Sequence, residues 1–378
     1  MRKYLWLVGL LSSGVVLAEE SSPIEAHAFV SQGFIKTTAN NFLTSSEKGS
    51  FSFTEAGINF TKKLSEELRM GAQLFVRNLG PTGNFNAKLD WFYLDYHPSD
   101  RFGLRFGRVK LPFGLYNESS DIDSSRAAIL LPQAVYPPLN RDYLLAQNGF
   151  EVYGYTGHGS AGSLEYRLYG GTIFMGISNT PGSTVVVSEL DVPYVVGGRL
   201  LWDTPIDGLR VGGTIQALQL DTTIVVSSTT TSASVDIPVA LWVGSLEYVK
   251  DDLLVAAEYG RWYARVINST NTALIPQSNV TNERAYVMTS YRVNPWLQPA
   301  LQYSVFFPNV DRREGRESYQ HDLAATFRFD LNQFWLVKAE AHWMRGTASL
   351  TTGLNGGTPL SGLTESWGAF LLKTTAYF

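Results

Sequence analysis

Histidine is the side chain best suited to proton transfer near neutral pH, and this chain has five, at positions 27, 97, 158, 321 and 342. None of them stands in an H-E-x-x-H metal motif or beside a G-x-S-x-G nucleophile elbow. His342 and Glu340 lie two residues apart, so on a strand they share one face and could act as a base pair or half a metal site. Two such residues on one strand recur by chance, and a wetted wall accounts for them equally well. With no cysteine in the chain, thiolate chemistry, disulfide frameworks and zinc–thiolate sites are excluded together. The sequence therefore predicts no catalytic set, no metal ligands and no cofactor. A formal charge of −4 also argues against a nucleic-acid partner, because phosphate binding needs a basic surface.

The chemistry that remains is that of fixed charges, and the elements carrying them follow from composition. The 378 residues are 44% hydrophobic and only 17% charged, with 9 Trp, 19 Tyr and 21 Phe. Disordered chains do not carry that aromatic load. Arg2 and Lys3 precede an apolar run over 4–17, and the small residues Val16 and Ala18 stand before Glu19, the pattern of a cleavable secretory leader over residues 1–18. The run is too short for a spanning helix, which needs roughly 20 apolar residues. Removing the leader takes the net charge to −6 and leaves 19–378 as one domain. No later stretch reads as a membrane helix, yet the aromatic content exceeds that of ordinary secreted globules. A transmembrane β-barrel reconciles the two, since its strands alternate lipid-facing and lumen-facing residues.

Period-2 alternation bounded by turn residues predicts sixteen strands, near 27–38, 50–61, 67–78, 87–97, 101–110, 148–156, 161–172, 193–203, 209–220, 237–249, 253–264, 284–293, 296–306, 318–329, 333–345 and 364–378. Their connections alternate strictly. Short ones, rich in Asp, Asn, Gly and Pro, fall at 62–66, 98–100, 157–160, 203–208, 250–252, 294–295 and 330–332. Long ones fall at 39–49, 79–86, 111–147, 173–192, 221–236, 265–283, 307–317 and 346–363. An all-β, sixteen-stranded antiparallel barrel has this plan, with turns in the periplasm and loops outside. The outer surface would then meet the lipid bilayer and lipopolysaccharide. Trp91, Trp202, Trp242, Trp296, Trp335, Trp343 and Trp367 fall near strand ends or on lipid-facing positions and are assigned to interfacial girdles. In the fifth strand the apolar parity set by Phe102, Leu104 and Phe106 breaks at Gly107, which suggests a bulge. The Ser- and Thr-rich stretches at 221–236 and 268–281 read as exposed surface.

Two stretches carry a family resemblance. The run 107–115, G-R-V-K-L-P-F-G-L, resembles the G-x-x-K-x-P-F-G segment of the phosphate-selective porin O and P family and related trimeric porins. The closing segment 370–378, with Phe370, Leu372 and Phe378 on one face, resembles the strand that the outer-membrane insertion machinery reads, although Ala376 stands where an aromatic is commoner. The resemblance implies a Gram-negative outer membrane, a homotrimer, and a third loop, residues 111–147, folded into the barrel to narrow it. An external cap or a trimer-contact latch is the alternative for that loop. It also carries over Arg108 and Lys110 as pore-lining residues. The phosphate specificity of the family is not supported, since the loop holds only Arg126 and Arg141 as bases against Glu118, Asp121, Asp123 and Asp142.

Lumen-facing charges in the clearer strands are mostly basic, among them Arg77, Arg105, Arg167, Arg199 and Lys338, with Glu340 among the few acids. Together with Arg108, Lys110, Glu118, Asp121, Asp123, Arg126 and Arg141 they form the candidate pore lining. A basic wall opposite an acidic loop would set up a transverse field favouring hydrated, dipolar solutes. The expected function is a passive, water-filled channel for small hydrophilic solutes with at most a mild anion preference. The alternatives are a channel selective for phosphate, another anion or a sugar, an adhesin or structural barrel, and a barrel enzyme.

Overall fold

A computed structural model describes residues 23–378 apart from 158, 175–176, 178–184, 227 and 230. The leader expected over 1–18 and His158 lie outside the described residues. Among these residues no helix is long and apolar enough to cross a membrane. Sixteen strands close into one antiparallel barrel in which each pairs with its neighbours in sequence. They are β1 Glu25–Thr37, β2 Phe53–Lys63, β3 Leu68–Leu79, β4 Lys88–Ser99, β5 Phe102–Lys110, β6 Ala146–Thr156, β7 Ser163–Thr172, β8 Val185–Asp203, β9 Leu209–Val226, β10 Thr231–Lys250, β11 Leu253–Val266, β12 Ser278–Tyr291, β13 Leu297–Phe307, β14 Gln320–Asn332, β15 Trp335–Gly346 and β16 Ser366–Tyr377. The ring is sealed by β1 on β16, from Phe29 opposite Tyr377 to Thr37 opposite Ala369. Ala28 and Phe378 exchange both backbone hydrogen bonds at its end.

Burial along the strands is inverted relative to a soluble sheet. On β14 Leu323 and Phe327 are exposed while Asp322, Thr326 and Arg328 are buried; on β15 Trp335 and Trp343 are exposed while Lys338, Glu340 and His342 are buried. Apolar residues outside and charges inside suit a barrel in lipid, where a Lys or Arg on the outer face costs roughly 2–4 kcal/mol at the midplane. Trp202, Trp242, Trp296, Trp335 and Trp343 are exposed on that outer surface. Trp91 and Trp367 are not part of the girdles. Trp91 is buried and stacks on Tyr93, and Trp367 is buried against Phe42 with its indole N–H on the Gly346 carbonyl.

Three further expectations are revised. The stretch 221–236 is no loose loop, because β9 and β10 continue through it as a hairpin, with Thr222 opposite Val235 and Val226 opposite Thr231. Its β-branched residues suit a pleated strand. The stretch 268–281 is likewise partly strand, since β12 begins at Ser278. Gly107 makes no bulge: β5 pairs with β6 in unbroken register from Gly103 to Lys110. Gly107 has φ 133°, and a Cβ there would meet the Phe92 carbonyl at 2.5 Å. The parity breaks because apolar residues change sides, Phe106 being exposed and Val109 buried. The irregularity lies instead on β4, where Gln73 pairs with Trp91 and Leu74 with Leu89. The extra residue is Asp90, and both Asp90 and Trp91 are buried.

Leu301 lies midway along β13, exposed between Thr289 and Ala325. Replacing it by Arg should cost about 2–4 kcal/mol of stability in urea titrations of the refolded barrel in lipid vesicles, while Leu301→Ala costs far less. Equal stability of the two variants would show that this face does not meet hydrocarbon.

Candidate functional site

The chain leaves β5 at Lys110 and returns at Ala146. The connection between them is apolar enough to demand cover: Leu111, Phe113, Ile129, Val135 and Leu145 are all at most 1% exposed. Each fully buried side chain of this size contributes about 1.5–3 kcal/mol. Their cover is the inner wall. Ile129 and Leu130 pack with Ile35, Phe53 and Leu371. Phe113, Leu131, Val135 and Tyr136 pack with Leu241, Val243, Ala256 and Tyr286. Leu111 packs with Tyr169 and Val195. Contacts to so many strands place the segment across the interior of the ring.

Polar contacts fix it there. Asp121 accepts from Lys110 at 2.8 Å and from Gln73 of β3 at 2.7 Å. Glu118 lies 2.7 Å from Arg167 of β7 and 2.9 Å from Arg199 of β8. Asp123 sits 3.2 Å from both Lys338 of β15 and Lys373 of β16, and accepts from Thr375 at 2.7 Å. Arg141 forms a two-pronged pair with Asp90 at 2.9 and 2.5 Å. The Glu340 carboxylate accepts from the amides of Ile129 and Leu130 at 2.7 and 3.1 Å, and Arg77 donates to the Pro138 carbonyl at 2.9 Å. Arg126 donates to Ser120 and lies 3.5 Å from Asp123. Arg108 donates to the Asp90 carbonyl at 2.7 Å. Glu258 of β11 receives the hydroxyls of Tyr136, Tyr286 and Ser245 and the Leu115 amide.

The bases of the wall and the acids of the loop therefore touch, instead of facing each other across water. Arg77, Asp121, Asp123, Arg141, Arg199, Lys338 and Glu340 are all less than a tenth exposed, so they serve as pins between loop and wall. Arg105, Lys110, Glu118 and Arg167 keep more water contact, with side chains 17%, 16%, 26% and 12% exposed. They converge on the β4–β7 side, where the Arg105 guanidinium lies 4.3 Å from the Tyr153 ring centre. Both ring nitrogens of His342 are engaged, by Asp322 at 2.8 Å and Glu340 at 2.9 Å. Neither is left for a substrate.

Several residues escaped the sequence reading. Glu55, Asp90, Asp95, Glu151 and Glu258 all pair or hydrogen-bond on the inner side, so the wall is far closer to charge balance than the clearer strands suggested. They lie on β2, β4, β6 and β11. On most of these strands large apolar and charged residues mix on both faces, which hides the pleat. Burial pushes the three loop carboxylates up, but the surrounding bases prevail. Arg167 and Arg199 hold Glu118 below the usual carboxylate range, Lys110 and Arg141 do so for Asp121, and Lys338 and Lys373 hold Asp123 well below it.

A closed sixteen-stranded barrel with an apolar exterior, a charged interior and a segment pinned across it has the architecture of an outer-membrane porin. Residues 35–129, from within β1 into the pinned segment, match the model of the family described as phosphate-selective porin O and P. Among solved structures, outer-membrane-expressed OmpT of Vibrio cholerae is similar at a TM-score of 0.61 and 11% identity, covering 96% of this chain and 100% of that one. The trimer form of in-vitro folded Vibrio cholerae OmpT gives 0.57 at 12% identity, with coverage of 94% and 99%. An anion-selective porin from Comamonas acidovorans gives 0.55 at 12% identity, with coverage of 95% and 100%. No curated protein matches the sequence.

Carboxylates held low stabilise the fold fully above their ordinary pKa of about 4 and lose that contribution as pH falls through their lower, folded values. Protease resistance of the 111–145 segment should thus be equal at pH 7 and pH 5 and fall only below about pH 4. Asp123→Asn leaves Lys338 and Lys373 short of a buried partner and should cost roughly 3–5 kcal/mol, read by urea unfolding.

Proposed function

We propose that this chain is a passive outer-membrane porin, a water-filled channel for small hydrophilic solutes with a mild preference for anions. The carrying observation is the arrangement of charge on the β4–β7 side of the pinned segment. There Asp95 and Glu151 are almost wholly buried, while the side chains of Arg69, Arg105 and Arg167 are 44%, 17% and 12% exposed. These two acids are more buried than the bases they pair with, so the charge exposed there is mainly positive, while Glu118, 26% exposed beside Arg167, keeps the preference weak. Arg105, Lys110 and Arg167 with Glu118 are the residues assigned to the narrow part of the passage, and Arg108 to its edge.

The rest of the reading extends the expectations drawn from the sequence. A leader over 1–18 directs export, β16 with Phe378 presents the insertion signal, and the outer face meets lipid and lipopolysaccharide. The trimer form of the similar Vibrio cholerae protein supports a homotrimer here.

Planar-bilayer recording of the refolded protein tests this. Steady conductance is expected, with a reversal potential across a KCl gradient slightly on the anion side. Arg105→Ala combined with Arg167→Ala should move it toward cations, whereas the two Lys substitutions should leave it nearly unchanged. Absence of conductance from correctly folded protein would overturn the channel reading.

A further inference from the structure

Beneath the pinned segment, toward the short turns, lies a cavity of about 240 Å3 bounded by that segment and the inner side of β11–β14. Its volume equals about eight waters at 30 Å3 each, the size of a small organic ion. Its lining mixes two kinds of group. Leu131, Leu254, Met288 and Tyr116 supply its large apolar surfaces; Arg126, Arg292 and Arg328 supply its charges, among uncharged Ser, Thr, Gln and Ala residues, and no carboxylate lines it.

The charges around it do not cancel. Arg126, Lys338 and Lys373 share Asp123, Lys373 also meets Glu55, and Arg292 and Arg328 share Asp330. Five bases thus hold three carboxylates, leaving a positive surplus beside this space. Glu340, hydrogen-bonded to Thr326, His342 and two loop amides, keeps its negative charge and reduces that surplus to one. The Nε of Arg126 is buried without a partner. A buried donor of this kind is costly to leave unmet, and guanidinium groups match carboxylates in geometry as well as charge. Inorganic phosphate would satisfy the arginines but leave the apolar surfaces facing a strongly hydrated ion. A neutral solute would do the reverse.

We infer that this cavity is a binding subsite for small monocarboxylates with a compact apolar body. The carboxylate sits among Arg126, Arg292 and Arg328, and the body lies against Leu131, Leu254 and Met288. This rests on the channel reading for its role in permeation, but the binding itself can be measured separately.

Two measurements on the full refolded protein test it, equilibrium dialysis and single-channel current in KCl, each with benzoate, inorganic phosphate and benzyl alcohol. Benzoate should bind in the millimolar range or tighter and reduce the current in a saturable way, and the other two should do neither at equal concentration. Arg292, the most exposed of the three arginines, allows a mild variant: Arg292→Gln should weaken benzoate binding at least fivefold, and Arg292→Lys less. Met288→Glu should abolish binding while KCl conductance persists. Phosphate binding as well as benzoate would overturn the apolar half of the inference, and benzyl alcohol binding as well would overturn the ionic half. Normal conductance without benzoate binding would remove the subsite and leave the channel reading intact. Benzoate binding without any conductance would do the opposite.

Discussion

Three carboxylates of one loop, at 118, 121 and 123, are seated against bases at the start of that loop and on the wall, and much of the interior is arranged around those seats. An ion removed from water costs several kcal/mol unless it is paired. Lys338 can therefore occupy the inside of β15 because Asp123 reaches it, Lys373 the inside of β16 because Asp123 and Glu55 do, and Asp123 can leave solvent because they are there. Apolar contacts supply bulk attraction between loop and wall, but attraction of that kind is indifferent to small slides. Ion pairs and hydrogen bonds at Gln73, Asp90, Glu258 and Glu340 remove that freedom, so the loop has one position.

The same contacts explain which parts of the molecule were legible in its sequence. Strand number and order were open to inspection because the lipid imposes a strict alternation wherever the inner face is mainly polar, as on β14 and along the middle of β3 and β15. Where the loop lands, the inner face is itself apolar, with Phe53, Leu241, Val243 and Leu371 buried there, and both sides of the strand then read alike. Glu55, Asp90, Asp95 and Glu258 are on strands of this mixed kind. Val109 and Leu111 looked like a bulge for the same reason, being apolar on the side where a porous wall would be polar. Asp90 was further hidden by the extra residue on β4, which local composition does not announce.

The candidate lining divided along the same boundary. Residue type and spacing point Lys338, Glu340 and Arg199 to the inner side, but a one-dimensional pattern has no means of distinguishing a charge bathed in water from one clasped by a loop 85 to 215 residues away in sequence. Pairing across such distances is a property of the closed ring.

That ring has its clasp between β1 and β16, where Ser31 and Thr375, 344 positions apart, bridge their hydroxyls. Every other seam joins neighbours in the chain and can zip locally. This one brings together segments separated by nearly the whole polypeptide, an arrangement associated with slow assembly. Until it forms, an assembling barrel carries two naked edges that any strand could join. The lumen cannot be sealed from lipid before the sixteenth strand arrives, so the loop's buried charges must either wait in water or enter the interior as the final strand brings Lys373 to them.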